Sequence, residues 1–332
     1  MIEFFIYFRK NWSLQLVLVV FAVSKTTSAQ QQAFEFVVLP DTQTYVEEYP
    51  EIYLHQMQWL ANNQERFSFA LHVGDITQNN SGKEWDIAKK GFNILQGKVP
   101  YSFALGNHDM GSKIGKFADT RNTSLANAFF PSNDISNLVA SFPKGKIDNL
   151  LSEFKIGEQK WMVLSLEFGP RNKTIAWAND MISKYPDHNF IVVTHAYLYE
   201  DGSLHDGEDW WLPENYGIGK DIGKEAPNNG RQLWEKLIKK HENIKMVFSG
   251  HILKSGVGTL VSEGEKGNKV YQMLANYQKG VEGTKKGGNG FLRIIKVDPE
   301  NQKIDVKTYS PWLDEFKKEQ DHDFTFENTH LK

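Results

Sequence analysis

No cysteine occurs anywhere in this 332-residue chain. That absence excludes disulfides, thiolate metal sites and cysteine nucleophiles, so any metal must be held by His, Asp, Asn, Glu or Gln. Proline is sparse, at 11 residues, and no Pro/Ser-rich linker or internal repeat divides the chain, so one domain is expected. A dominant charge is lacking too. The 38 basic and 41 acidic residues leave a formal net charge of −3, without the broad field that nucleic acid or an anionic membrane would call for. Past the N-terminus no apolar run approaches the ~20 residues of a membrane span. What is present, 40% hydrophobic residues, suffices to bury a sizeable core.

The first 29 residues stand apart. Arg9 and Lys10 precede the apolar LQLVLVVFAV, and TSA follows, ahead of a polar QQQ. Basic, apolar and small residues in that order form an export signal, with cleavage expected after Ala29. A membrane anchor is the alternative, but the uncharged stretch from Asn11 to Ser24 is short for a span of ~20 residues. Removal takes away Arg9, Lys10, Lys25 and Glu3 and leaves a mildly acidic chain, expected to be periplasmic or secreted.

Past residue 33 the pattern alternates strand and helix. FEFVVL, FSFALHV, YSFAL, NFIVVT and IKMVFS are short apolar runs of the kind that lie inside a covered sheet. Amphipathic stretches separate them, including YPEIYLHQMQWLANNQ and KEWDIAKKGFNILQ. Hairpins are expected around Gly157 to Gln159 and around Pro299-Glu300-Asn301. Parallel units with antiparallel hairpins predict an α/β fold of two mixed sheets packed face to face, with helices outside. The domain is expected to span 30–312, with 313–332 a polar, peripheral tail. Segments 110–150 and 196–229 read as long loops, which in compact domains usually shape a site.

The five apolar runs share one property. They end in Asp41, in Asp75, in Asn107-His108-Asp109, in His195 and in His251, so each delivers a metal-competent side chain where open α/β sheets place their ligands. Glycines 74, 106 and 250 come just before three of them, permitting sharp turns and close backbone approach. Singly, each is explained as a turn residue or a core histidine. Together they form a cluster able to hold one or two divalent ions. Two such ions about 3.5–4 Å apart clamp the attacking and leaving oxygens of a displacement at phosphorus and acidify a water. His108 would reach the leaving-group oxygen as general acid, with Asp109 holding its tautomer.

On these residues the chain resembles the calcineurin-like metallophosphoesterase superfamily, whose signature runs DxH, GDxx, GNHD, H and GHxH at strand ends. Here it reads Asp41-Thr42-Gln43, Gly74-Asp75, Gly106-Asn107-His108-Asp109, His195 and Gly250-His251-Ile252-Leu253. The resemblance covers about residues 34 to 310 and implies an αββα four-layer sandwich, two metals and hydrolysis of phosphomonoesters or phosphodiesters by metal-activated water. It places Asp75 as the bridge and Asn107, His195 and His251 on the second metal, a tightly held transition metal such as Mn, Zn or Fe. Two positions depart. Gln43 and Leu253 replace histidines that belong to the first metal by analogy, leaving Asp41, Asp75 and the Gln43 amide. Such an oxygen-rich site suits a looser Mg²⁺, Mn²⁺ or Ca²⁺. The purple acid phosphatase branch uses a tyrosine after the GD motif, and Asp75-Ile76-Thr77-Gln78 lacks it.

Weaker signals remain. Arg171, Asn276 and Gln278 follow strands and are candidate contacts to a small-molecule phosphoester. The loop carrying His205, Asp206, Glu208, Asp209, Trp210 and Trp211 offers acidic and aromatic groups for a cationic or cyclic part of a substrate. Two other functions fit the same chain: a single-metal binding module, disfavoured by His108 and Asp109, and a hydrolase of non-phosphate esters.

Overall fold

The computed structural model describes residues 32–135 and 137–331; the expected export signal and cleavage site lie outside them. In chain order the first half comprises β1 (Phe34–Leu39), α1 (Gln43–Glu48), α2 (Pro50–Asn62), β2 (Phe67–His72), α3 (Gly82–Leu95), β3 (Tyr101–Phe103), α4 (Ser124–Phe129), β4 (Leu138–Ser141), β5 (Leu150–Ile156) and β6 (Gln159–Leu166). The second half comprises α5 (Asn172–Lys184), β7 (Asn189–Thr194), α6 (Gly230–Lys236), β8 (Ile244–Ser249), β9 (Val257–Glu263), β10 (Lys269–Ala275), β11 (Leu292–Asp298), β12 (Lys303–Ser310), β13 (Glu315–Phe316) and β14 (Asp323–Glu327).

These strands build two seven-stranded sheets. The first runs β13-β12-β11-β1-β2-β3, with β14 also on β12; the second runs β4-β5-β6-β7-β8-β10-β9. Both are mixed, as expected. β1, β2 and β3 are parallel, as are β6, β7, β8 and β10, whereas the hairpins β5–β6 and β11–β12 are antiparallel.

Two-sided burial explains the unbroken apolar runs. Phe34, Phe36 and Val38 of β1 face the second sheet and join Phe69, Phe154, Trp161 and Phe248 in the layer between sheets. Phe69 stacks on Phe36 and on Phe154, each at 4.6 Å between centroids, and so ties the two sheets together. The intervening Val37 and Leu39 face α1–α3 instead, among Tyr53, Met57, Trp85 and Phe92. Helices α5 and α6 cover the outer face of the second sheet through Ile175, Ala178, Ile182 and Leu233. Helix, sheet, sheet and helix make the four-layer sandwich. α3 is fixed at its start by a capping box, in which Ser81 accepts from the Glu84 N–H and Glu84 accepts from the Ser81 N–H.

Two expectations need correction. Segment 110–150 is not one loop, since it holds α4 and the edge strand β4, elements too short to show a period. The tail after residue 312 is not peripheral. Its strand β14 pairs with β12 over five residues, Phe324 and Phe326 pack against the inter-sheet core, and Leu331 is buried within it. The sheet edge therefore belongs to the domain. Truncation at residue 312 is expected to cost about 3 kcal/mol or more from the lost apolar burial alone. The urea midpoint of the shortened chain checks this; an unchanged midpoint would return the tail to the periphery.

Candidate metal centre

β1, β2, β3, β7 and β8 end on the same side of the sandwich, and their following residues meet there. His195 Nε2 stands 3.1 Å from Asp75 Oδ2 and 3.1 Å from His251 Nδ1. Asp75, His195 and His251 each offer one ligand atom, all within 4.8 Å of one another, and all three residues are buried. The remaining ring nitrogens are already committed. His195 Nδ1–H donates to the Val73 carbonyl at 3.1 Å, and His251 Nε2–H donates to the Trp211 carbonyl at 2.9 Å. Those carbonyls engage the outer ring nitrogens and leave His195 Nε2 and His251 Nδ1 facing one another, the two nitrogens that would bind an ion once His195 Nε2 gives up its proton.

Three more acceptors lack partners. Asp41 Oδ1, Gln43 Oε1 and Asn107 Oδ1 are buried side-chain oxygens without a hydrogen bond among the described residues. An unpaired buried acceptor costs roughly 1–3 kcal/mol, and a cation satisfies several at once. Asp41 and Asn107 belong to the strand-end pattern, and Gln43 to the first-metal set that the resemblance implies. The spacing fits as well: two ligands about 2.1 Å from one ion lie roughly 3.0–3.4 Å apart. These residues fit a divalent metal.

The backbone is shaped around the ligands. Asp75 and His251 sit in the left-handed region at φ 50° and 74°, uncommon for residues with a side chain and a form of strain found at functional sites. The glycines serve ligand carboxylates more than the ion itself. A Cβ on Gly106 would stand 2.1 Å from Asp75 Oδ1, and one on Gly250 would stand 1.9 Å from Asp41 Oδ1. Neither position has room for a side chain. Asp41 Oδ2 accepts from the His251 N–H at 3.0 Å and from Gln278 Nε2 at 3.2 Å.

Burial and mutual charge polarise the cluster. Burial opposes ionisation of Asp75, but His195, His108 and His251 outweigh it and hold the carboxyl well below its usual range. Burial also opposes charge on His195, where Asp75 and Asp41 prevail and raise its pKa to about 9. Asp41 is pushed up to about 8 by burial, against His195 and with Asp75. His251 is kept neutral by burial and by the neighbouring His195. In the metal-free chain a proton on His195 Nε2 thus stands where the lone pairs converge. An ion on these ligands must displace it, so affinity is expected to fall as pH drops below about 9. At pH 7, binding should release at least one proton per ion. Calorimetry in two buffers of different ionisation enthalpy counts it, and zero release would contradict the ligand assignment.

A cavity of about 320 Å³ opens onto the cluster, lined among others by Gln43, Asp75, Asn107, His108, His251 and Gln278. His108 Nδ1–H donates to the Gln78 carbonyl at 2.7 Å, and its ring stacks on Phe117 at 4.0 Å. Asp109 does not hold that tautomer. Its carboxylate accepts from the N–H groups of Gly106, Ile76 and Thr77 at 2.9–3.0 Å and from the Thr77 hydroxyl at 3.0 Å. It is a buried brace between the loops after β2 and β3.

Arg171 is likewise not brought to the cavity. Its guanidinium binds Glu167 at 2.9 Å and Glu225 at 3.2 Å, tying the loop after β7 to the end of β6. Asn276 is buried, with its amide N–H on the Ile252 carbonyl and its oxygen on the Gln278 N–H. Of these three candidate contacts, only Gln278 lines the cavity. The carbonyls of Val73, Gln78 and Trp211 escaped sequence reasoning, because a backbone acceptor has no residue signature. Phe117 escaped it as an isolated aromatic in an irregular segment.

Comparison with known proteins agrees with this geometry. The family model for calcineurin-like phosphoesterases matches residues 34–255. The uncharacterized protein YvnB of Bacillus subtilis (strain 168) is 29% identical over 288 residues, 84% of this chain and 20% of YvnB. The chain therefore spans about a fifth of the length of that relative. Purple acid phosphatase PPD1 from yellow lupin (Lupinus luteus) seeds superimposes with a TM-score of 0.56 at 12% identity, over 90% of this chain and 54% of the phosphatase. At that identity the likeness is one of fold. With well over half of its length matched, and with metal ligands gathered at the strand ends, the chain belongs to the calcineurin-like phosphoesterase family, a family of phosphoric ester hydrolases.

Proposed function

We propose that this protein hydrolyses phosphomonoesters or phosphodiesters at the cavity above Asp75, His195 and His251, with His108 as the general acid. One observation carries the reading: Asp75, His195 and His251 bring their ligand atoms within 4.8 Å of one another beside the cavity that His108 lines. Asp75, Asn107, His195 and His251 would hold one ion tightly, a transition metal such as Mn, Zn or Fe. Asp41, Gln43 and Asp75 would hold a second more loosely, as Mn, Mg or Ca. Divalent ions there supply charge for a phosphoryl group and lower the pKa of a water.

The chain's own residues do the rest. The Gln78 carbonyl accepts a hydrogen bond from His108 Nδ1–H and so leaves Nε2 for proton transfer. Phe117 fixes the plane of the ring. Protonated at Nε2, His108 gives its proton to the departing alkoxide, which would otherwise leave as a strong base. Gln278 and Asn107, on the cavity wall, are amides suited to phosphate oxygens and metal. Turnover of a panel of phosphomonoesters and phosphodiesters, with carboxylate and sulfate esters beside it, tests the reading. Hydrolysis confined to non-phosphate esters would replace it.

Export is part of the proposal and rests on the N-terminal pattern. Among the described residues no helix is long and apolar enough to cross a membrane. Intact mass of the protein recovered outside the cytoplasm should place the N-terminus near Gln30; full-length chain in the membrane fraction would favour an anchor.

A further inference from the structure

A second cavity, of about 160 Å³, adjoins the first, and Trp211 and Leu253 line both. Its remaining wall includes Tyr199, Ile252 and Glu200. Trp211 is held firmly at both ends of its residue. Its N–H donates to Asp209 Oδ1 at 2.7 Å, and its carbonyl takes the His251 Nε2 proton at 2.9 Å. The other polar wall groups are also engaged: the Tyr199 hydroxyl donates to Asp209 Oδ2 and accepts from the Gly207 N–H. Glu200 Oε1 pairs with Lys254. Glu200 Oε2 is the exception, buried and without a partner among the described residues.

We propose that this cavity is a subsite for the organic portion of the phosphoester, and that it takes a single-ring group bearing a hydroxyl or amino donor. The inference rests on the phosphoesterase reading above and adds the substrate class to it. Size selects the ring, since an apolar cavity of about 150 Å³ holds one benzene-sized body. Chemistry selects the donor, because Glu200 Oε2 is an acceptor that meets no partner among the described residues. The subsite also gives Leu253 a role. Where the family pattern has a metal-binding histidine, this chain places an apolar wall shared by the phosphate cavity and the ring cavity.

Benzyl, 3-hydroxybenzyl and ethyl phosphates, all esters of primary alcohols, separate ring binding from leaving-group acidity. Benzyl phosphate should exceed ethyl phosphate in kcat/KM by roughly tenfold or more, as discrimination by an apolar pocket allows. The hydroxyl should raise it further. Leu253→Phe, which fills the cavity, should narrow the benzyl-to-ethyl ratio. Glu200→Gln, a conservative change that needs no repacking, should narrow the hydroxybenzyl-to-benzyl ratio alone. Equal kcat/KM for benzyl and ethyl phosphates, or a ratio unmoved in a folded Leu253→Phe variant, would overturn the subsite and leave phosphoester hydrolysis standing. An unchanged hydroxybenzyl-to-benzyl ratio in Glu200→Gln would overturn the donor requirement. Failure to hydrolyse all three, and their methyl phosphodiester counterparts as well, would remove the parent reading and the subsite with it.

Discussion

His108→Ala is expected to lower turnover of alkyl phosphates by roughly 10²–10⁴, the usual range for a lost general acid. The fold and bound metal should be nearly unaffected. The backbone N–H of residue 108, which donates to Asp75 Oδ1 at 2.9 Å, survives the change. The lost side-chain interactions are one hydrogen bond to a carbonyl and one face of Phe117. Dependence on the leaving group identifies the role. 4-Nitrophenolate departs with little need of a proton, so the loss should shrink for nitrophenyl esters. Equal losses for nitrophenyl and alkyl esters would remove His108 from that role and leave it as a wall of the cavity.

His251→Ala is expected to strip the tightly held ion and take nearly all turnover with it. The imidazole supplies one of the two facing nitrogens, and Asp75, Asn107 and His195 without it leave that site one donor short. Gln43→Ala removes an amide oxygen from a site that relies on carboxylates and water, so it should chiefly raise the concentration of added Mn²⁺ or Mg²⁺ needed for activity. Protein purified without chelator should retain close to one ion per chain, and Gln43→His with Leu253→His should bring that toward two. Two ions retained by the unaltered protein through dialysis would mean that other residues complete the first site. Gln278, already against Asp41, would be the first to examine.

Where the sequence was legible, the reason is physical. Strands covered on both faces must be apolar throughout, so β1, β2, β7 and β8 stand out, and their ends mark the site. The fold and five converging loops could be read on that basis. The tail could not, because DFTFE of β14 keeps only Phe324 and Phe326 partly covered and exposes its polar residues, like any surface segment. Asp109 and Arg171 show a second limit. Both carry groups suited to a phosphoesterase site, but side-chain direction decides their use, and here they bind backbone N–H groups and buried carboxylates. Gln43 and Leu253 were legible as departures from a pattern. The cavity that gives Leu253 a purpose arises from a loop and two strand ends distant in sequence, and no local spacing announces it.

The central claim is that metal held by Asp75, His195 and His251 is required for phosphoester hydrolysis. Its most direct test titrates Mn²⁺ into chelator-stripped protein while bound metal and turnover of 4-nitrophenyl phosphate and bis(4-nitrophenyl) phosphate are followed together. The stripped protein should be inactive on both, and turnover of at least one should rise with occupancy, most steeply as the weaker site fills. Turnover by the stripped protein equal to that of the refilled one, or a fully refilled protein that hydrolyses neither ester, would contradict the claim.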